Sequence, residues 1–411
     1  MSKRRRPRER RSGAEWTVRG VLLLACAALG YASVAHTTAS VILKGQIEHA
    51  HVLAPGDGRI TALLAQSLSG ANTDVQDRAR ATRLAQLALQ QDPTASLAAI
   101  TLGLNEYISG DVASARRLFR YAETLSRRDL RTQVWAIEDS VARGDITATL
   151  RHYDIALRTS DRAPDLLFPI LAAAITDNTI RLPLVRLLST RPAWGSSFID
   201  YVATSAPDEI ASAELLLAAK RAAVPVTDSA WALVIDHLIQ RRLYDQAWTY
   251  FAATHPHADR RRSRDPHFTS TEEAVPFKWV VGRGDDVNAT LQANRAGGLF
   301  DFTVPAAVGG RLLEQLQILP PGRYQLNGHS REIDQPNSAA PQWILTCRED
   351  GRELGRIDVP NSSVLGGIFS GEFVVPEGCR AQVLSLVARP SDTVSAISGQ
   401  IDRVALVPIK T

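Results

Sequence analysis

Three patterns of apolar spacing follow one another along the chain. Residues 20–43 form an apolar run that ends in Val41-Ile42-Leu43 and is interrupted only by His36 and small hydroxyl residues. As a helix this run would reach about 36 Å, against a bilayer core of roughly 30 Å. From 58 to 256 apolar residues recur at helical spacing in short blocks joined by polar turns. From 276 to 408 that period stops. Short alternating or β-rich runs replace it at 277–281, 299–304, 312–319, 322–326, 343–347, 371–375, 381–388 and 400–407. Turns such as Pro320-Pro321-Gly322, Glu349-Asp350-Gly351 and Pro376-Glu377-Gly378 punctuate them. The pattern predicts a multidomain chain, α then β: an N-terminal transmembrane helix, an α-helical repeat solenoid over 58–256 and a C-terminal β-sandwich or jelly roll over 276–408. Residues 257–275 are polar and charged and read as a linker.

The helical blocks repeat. Gly110-Asp111 recurs 34 residues later as Gly144-Asp145, Phe119 matches Tyr153, and Ala122 matches Ala156. Shifting back by the same period places Ala81 and Ala88 under Ala115 and Ala122. Small residues at such positions let two helices approach closely, and large ones fill the space between neighbouring pairs. The stretch Leu102-Gly103, Gly110-Asp111, Ala115, Phe119, Ala122 resembles the tetratricopeptide repeat, and so does Trp231, Ala247, Phe251. The middle segment, 164–222, keeps the period and loses the signature, with Pro169 and Pro183 altering helix starts or kinking them. The resemblance implies five or six helix pairs that bind partner proteins in a groove lined by the first helix of each pair. Carried over, the groove positions are Tyr107, Arg131, Glu138, Asp236 and Gln240.

The charge belongs mostly to one end. Residues 1–19 carry eight cationic side chains against Glu9 and Glu15, a net six positive charges. The whole chain carries only +4, which leaves residues 20–411 at −2. A nucleic-acid surface would need a basic face on the folded part, so nucleic acid is not an expected partner. The cationic cluster before the apolar run predicts a basic cytoplasmic tail (1–19), a signal anchor (20–43) in the inner membrane, and a periplasmic bulk. Ser33-Val34-Ala35 would serve as the small-residue site of a cleavable signal peptide, the rival to the anchor. A lipoprotein reading through Leu23-Leu24-Ala25-Cys26 leaves only six residues between Arg19 and the cysteine.

Candidate chemistry is sparse. The 3 cysteines cannot form a disulfide scaffold or a four-cysteine zinc site. Cys347 and Cys379 can pair in an oxidising compartment, with two buried free thiols as the cytosolic alternative. His49-Ala-His51 and His255-Pro-His257 each place two imidazoles two apart without a third ligand at matching spacing, so no metal site is predicted. Gly282-Arg283-Gly284-Asp285 contains an adhesion-like tripeptide and reads as turn chemistry. There is no phosphate-cradling glycine loop and no Gly-x-Ser-x-Gly elbow, and the chain is expected to be neither an enzyme nor a cofactor protein. The ending Ile401-Asp402-Arg403-Val404-Ala405-Leu406 is similar to the last strand of carbohydrate-binding-like jelly rolls. That similarity makes Trp279, Tyr324 and Trp343 candidate sugar-stacking rings, with core packing the competing role. The arrangement as a whole is similar to accessory proteins of bacterial envelope or exopolysaccharide assembly. The implied function is a non-enzymatic scaffold that holds partner proteins, with glycan binding by the sandwich as the alternative.

Overall fold

The computed structural model describes residues 13–409 apart from 44, 71, 272–275, 283–286, 306 and 393–395. The basic cluster at 3–11 and the tripeptide at 283–285 therefore lie outside the described residues. The chain divides into two compact units, 1–167 and 168–411.

The first unit is helical. Its first helix, α1 (Gly13–Ile42), is long and apolar enough over Trp16–Ile42 to cross a membrane, and that stretch is almost entirely exposed. Its C-terminal turns are packed: Ala39 is buried with Ala50 of α2 (Ile47–Leu53) and Ile60 of α3 (Gly58–Ser67). The His36 Nδ1 atom also lies 3.3 Å from the Asp57 carboxylate. The apolar helix thus runs into the helical body without a spacer.

Three helix pairs follow. They are α3 with α4 (Val75–Gln91), α5 (Ser96–Ile108) with α6 (Val112–Leu125), and α7 (Leu130–Ala142) with α8 (Ile146–Thr159). All their starts but that of α5, which follows Ala95, are set by aspartate. Asp57, Asp74, Asp111, Asp129 and Asp145 each accept a hydrogen bond from a backbone N–H in the first turn of the helix that follows. Ser114 hydrogen bonds hold the Asp111 carboxyl below its ordinary range. The pairs close on alanine: Ala62, Ala65, Ala85, Ala88 and Ala98 make one buried cluster, and Ala99, Ala115 and Ala122 make another with Phe119 and Trp135. A Cβ on Gly103 would come within 3.0 Å of the Phe119 ring, so the glycine is what admits the phenylalanine. Gly110 and Gly144 explain the period. Each takes positive φ (91° and 69°) just past a helix, and the next residue's N–H reaches back to the Glu106 or Ser140 carbonyl.

The second unit begins inside α9 (Ala163–Ala174), which continues through Pro169. It adds α10 (Asn178–Ser189), α11 (Gly195–Ser205), α12 (Glu209–Arg221), α13 (Asp228–Gln240) and α14 (Tyr244–Thr254). Phe168 sits among the rings of Trp194, Phe198 and Tyr201. The resembling triad is in place: Ala247 and Phe251 are buried on α14, and the buried Trp231 donates its indole N–H to the Thr254 hydroxyl at 3.1 Å.

Among the described residues, ten antiparallel strands then build a β-sandwich. One sheet runs β1 (Trp279–Val281), β4 (Gly310–Gln317), β9 (Gln382–Ala388), β6 (Gln342–Cys347), β7 (Glu353–Asp358). The other runs β2 (Asn288–Gln292), β3 (Leu299–Pro305), β10 (Ala396–Pro408), β5 (Gly322–Arg331), β8 (Ile368–Val375). The last two strands, β9 and β10, occupy the two sheet centres. Phe300, Phe302, Trp343 and Phe373 are fully buried between the sheets. The sequence reading missed β2 and β7. Both are short edge strands whose only large apolar side chains are Leu291 in β2 and Leu354 and Ile357 in β7, too few to read as an apolar run.

Two predicted boundaries need correction. The helices of 58–256 do not form a single body, because those from Phe168 onward belong to the same compact unit as the sandwich. Phe251 and Trp248 of α14 pack on Phe277, Arg264 lies over the Phe251 ring, and Arg260 pairs with Asp245 at 2.7 Å. The predicted linker 257–275 is not a spacer over its described part. Phe268 is fully buried in the sandwich core. The Ser263 N–H donates to the Leu406 carbonyl, the Ser263 hydroxyl accepts from the Leu406 N–H, and the Pro266 carbonyl accepts from the Val404 N–H. Gln315 of the other sheet is hydrogen-bonded to both the N–H and the carbonyl of Arg264. The segment is a strap tied to β10 and to β4, and its many arginines concealed that role.

Candidate functional site

The five predicted groove positions fall into two separate places. In the first unit, α3, α5 and α7 are the leading helices of the three pairs, and Ile47, Leu63, Gln66, Ser67, Ser69, Leu104 and Arg131 line an open groove of about 400 Å³ on them. Arg131 is positioned by the cap of its own helix, where the Asp129 carboxylate accepts from the Arg131 and Thr132 N–H groups. Its guanidinium faces the Gln66 side-chain amide across the groove. Among the described residues it pairs with no carboxylate. Tyr107, one turn beyond Leu104, is 42% exposed and rests edge-on against Trp135, with ring centroids 6.4 Å apart. Glu138 is exposed on α7 and does not line this groove.

In the second unit, Asp236 and Gln240 line a cavity of about 290 Å³ with Lys278, Glu314 and Arg348, between α13 and the β1–β4–β9 side of the sandwich. Desolvation raises the Asp236 carboxyl above its ordinary range, and His237, Lys278 and Arg348 pull it back. Asp236 and Gln240 are exposed at the rim, so solvent screening keeps that effect small. Sequence reasoning missed Lys278, Glu314 and Arg348, because only folding brings three strand-region residues to a helix.

The sugar-stacking assignment is overturned. Trp279, Tyr324 and Trp343 are 5%, 3% and 0% exposed. Trp279 packs edge-on against Trp343 and donates its N–H to the Asp265 carbonyl, and the Tyr324 hydroxyl donates to the Pro320 carbonyl at 2.7 Å. All three rings hold the sandwich together, because inward-facing positions of alternating strands are where large rings bury most area.

Cys347 and Cys379 form a disulfide, with Cα atoms 5.7 Å apart. With Glu349 they are also a three-donor group, but the sulfurs are bonded to each other. Neither histidine pair joins such a group among the described residues. His51 contacts the Thr61 hydroxyl at 3.3 Å, and His255 stacks on Phe251.

No family model matches the sequence. No curated protein matches it either. Two solved structures show distant similarity. One is the enzymatically active domain of tailspike protein 4 of bacteriophage CBA120 (TM-score 0.27, 14% identity), matched over 36% of this chain and 22% of that one. The other is the glycosylation-associated Gap123 complex from Streptococcus agalactiae (TM-score 0.21, 16% identity), matched over 30% of this chain and 40% of that one. The matched regions span less than half of either relative, and at these TM-scores neither likeness bears on function.

Proposed function

We propose that the chain is a non-enzymatic adaptor, anchored in the inner membrane by α1 with its bulk in the periplasm, which holds a partner protein in the groove on α3, α5 and α7. The observation that carries this reading is the groove itself. Apolar side chains (Ile47, Leu63, Leu104) lie beside an arginine with no carboxylate partner among the described residues, and the exposed Tyr107 ring stands one turn from Leu104. A segment of a partner protein with an acidic residue flanked by apolar ones would satisfy all of these at once. Two features support the compartment. The cationic residues precede the apolar helix, which favours a cytoplasmic N-terminus. The Cys347–Cys379 bond fits an oxidising compartment. The envelope and exopolysaccharide setting rests on the sequence resemblance alone.

The test uses the full chain in its native membrane. A photo-crosslinking residue at Tyr107 should capture a defined protein, which is then purified and titrated against the chain. Leu104→Asp and Arg131→Glu should each weaken that binding by roughly tenfold or more. Equal affinity in wild type and both variants would remove the groove from the interaction.

A further inference from the structure

A second cavity in the first unit lies on different side chains. It has a volume of about 330 Å³ and is walled by one stripe from each of three helices. From α6 come Arg116, Arg120 and Glu123, at helical spacings of four and three; from α7 come Thr132, Asp139 and Arg143; from α8 come Arg151 and His152. Four guanidiniums face two carboxylates.

Most of the negative charge is already engaged. Arg116 Nε donates to both Asp139 oxygens (3.1 and 3.3 Å), and Arg143 Nε donates to the same carboxylate at 3.2 Å. Arg116 accordingly holds Asp139 below the ordinary carboxylate range. Arg151 stands 3.8 Å from Glu123, beyond hydrogen-bond distance. Arg120 donates its Nε to the Arg116 carbonyl, and among the described residues it pairs with no carboxylate. His152 adds no charge to offset the cations or to join them. Its Nδ1 faces the Gln133 side-chain oxygen at 2.8 Å and its Nε2 faces Arg151 at 2.9 Å, an arrangement in which Nδ1 donates and Nε2 accepts. Burial first, and Arg151 second, hold its pKa below the usual value. The wall also contains an orphan: the Thr132 hydroxyl is buried and has no hydrogen-bond partner among the described residues. A buried hydroxyl left without a partner is unfavourable, so its place beside a cationic cavity is informative.

We infer that this cavity is a binding site for a phosphoryl anion, a phosphate ester or a diphosphate, held by the guanidiniums of Arg120 and Arg151 and braced by the Arg116–Asp139–Arg143 cluster. Four guanidiniums against Asp139, Glu123 and the Asp145 carboxylate 3.6 Å from Arg143 leave the site net cationic, as an anion site requires. Guanidinium forks match phosphate oxygens in pairs. The volume suits a diphosphate or a small phosphate ester.

The full chain in neutral-lipid nanodiscs, titrated calorimetrically with inorganic pyrophosphate and with acetate at equal ionic strength, tests the inference. Pyrophosphate should bind saturably at one site per chain and acetate should not. The double variant Arg120→Gln/Arg151→Gln should weaken pyrophosphate binding by at least ~10-fold, because two charge-assisted pairs are lost. It should leave the unfolding midpoint within a degree or two, since neither side chain braces the fold as Arg116 does. Absence of saturable binding, or equal affinity in wild type and variant, overturns the site. A lower apparent pyrophosphate affinity in nanodiscs containing phosphatidic acid would place the phosphoryl group on a lipid. Unchanged affinity there would place it on a soluble compound. Each of those two results supports the pocket.

Discussion

Four helices end in the same way with different residues. After α5 and α7 the left-handed residue is Gly110 or Gly144; after α12 and α13 it is Ala223 or Arg242, both with φ near +60°. In all four the following N–H reaches the carbonyl five residues back, to Glu106, Ser140, Ala219 and Leu238 respectively. The backbone demand is therefore constant, and only the first two sites meet it without a Cβ. Arg242→Gly should stabilise the chain by about 0.5–1 kcal/mol and Gly144→Ala should destabilise it by a similar amount. Differential scanning calorimetry should show midpoints moving in opposite directions. His152 makes a second residue-scale prediction. Its folded pKa is lowered from 6.5, so its contribution to stability is complete above that value and is lost as pH falls below it. The hydrogen-exchange protection factors of α7 and α8, taken relative to the intrinsic rate at each pH, should fall between pH 7.5 and pH 5. In His152→Gln that fall should disappear. The period of 34 was legible because Gly110 and Gly144 carry it. Ala223 and Arg242 carry the same turn invisibly, since nothing in an alanine or arginine announces a left-handed backbone.

Elements differ in how openly the sequence announces them. The central strands β9 and β10 place an apolar residue at nearly every second position and are legible from that alternation; β2 and β7, at sheet edges, hold too few large apolar residues to show one. The strap 257–271 is the extreme case. One fully buried side chain, Phe268, and a handful of backbone hydrogen bonds fasten it to both sheets, and no periodicity marks such a segment. The disulfide belongs to this scale, because it ties the end of β6 to the turn before β9. It closes a separation of 32 residues, for which the loss of unfolded-chain entropy is about 3–4 kcal/mol. Replacing both cysteines by serine should lower the stability of the sandwich by that order in urea titration. In the wild-type chain both thiols should resist alkylation until reductant is added. An unchanged urea midpoint together with alkylation in the native chain would show the bond to be absent.

At the level of the whole chain, the apolar helix α1 and the rest of the first helical unit are one continuous structure. Ala39 packs on Ala50 and Ile60, so the last turns of α1 belong to the helical body rather than to a tether. The long apolar helix, the helical half and the strand-built half were all legible in the sequence. Each is a matter of local spacing: an unbroken apolar run, a 3.6-residue period, an alternation. Local spacing also exposed the pairing of Cys347 with Cys379, once an oxidising compartment was assumed. It could not show where the compact units divide, since that depends on which buried faces meet, and α14 meets the sandwich through Phe251 and Phe277. It could not tell a stacking platform from a core either, because Trp279, Tyr324 and Trp343 look the same in sequence whichever way their strands face. Nor could it assemble the cavity of Arg116, Arg120, Arg143 and Arg151, in a chain where arginine is abundant everywhere. Charges far apart along the chain acquire a common field only when helix packing brings them to one wall, and that step is decided by tertiary structure alone.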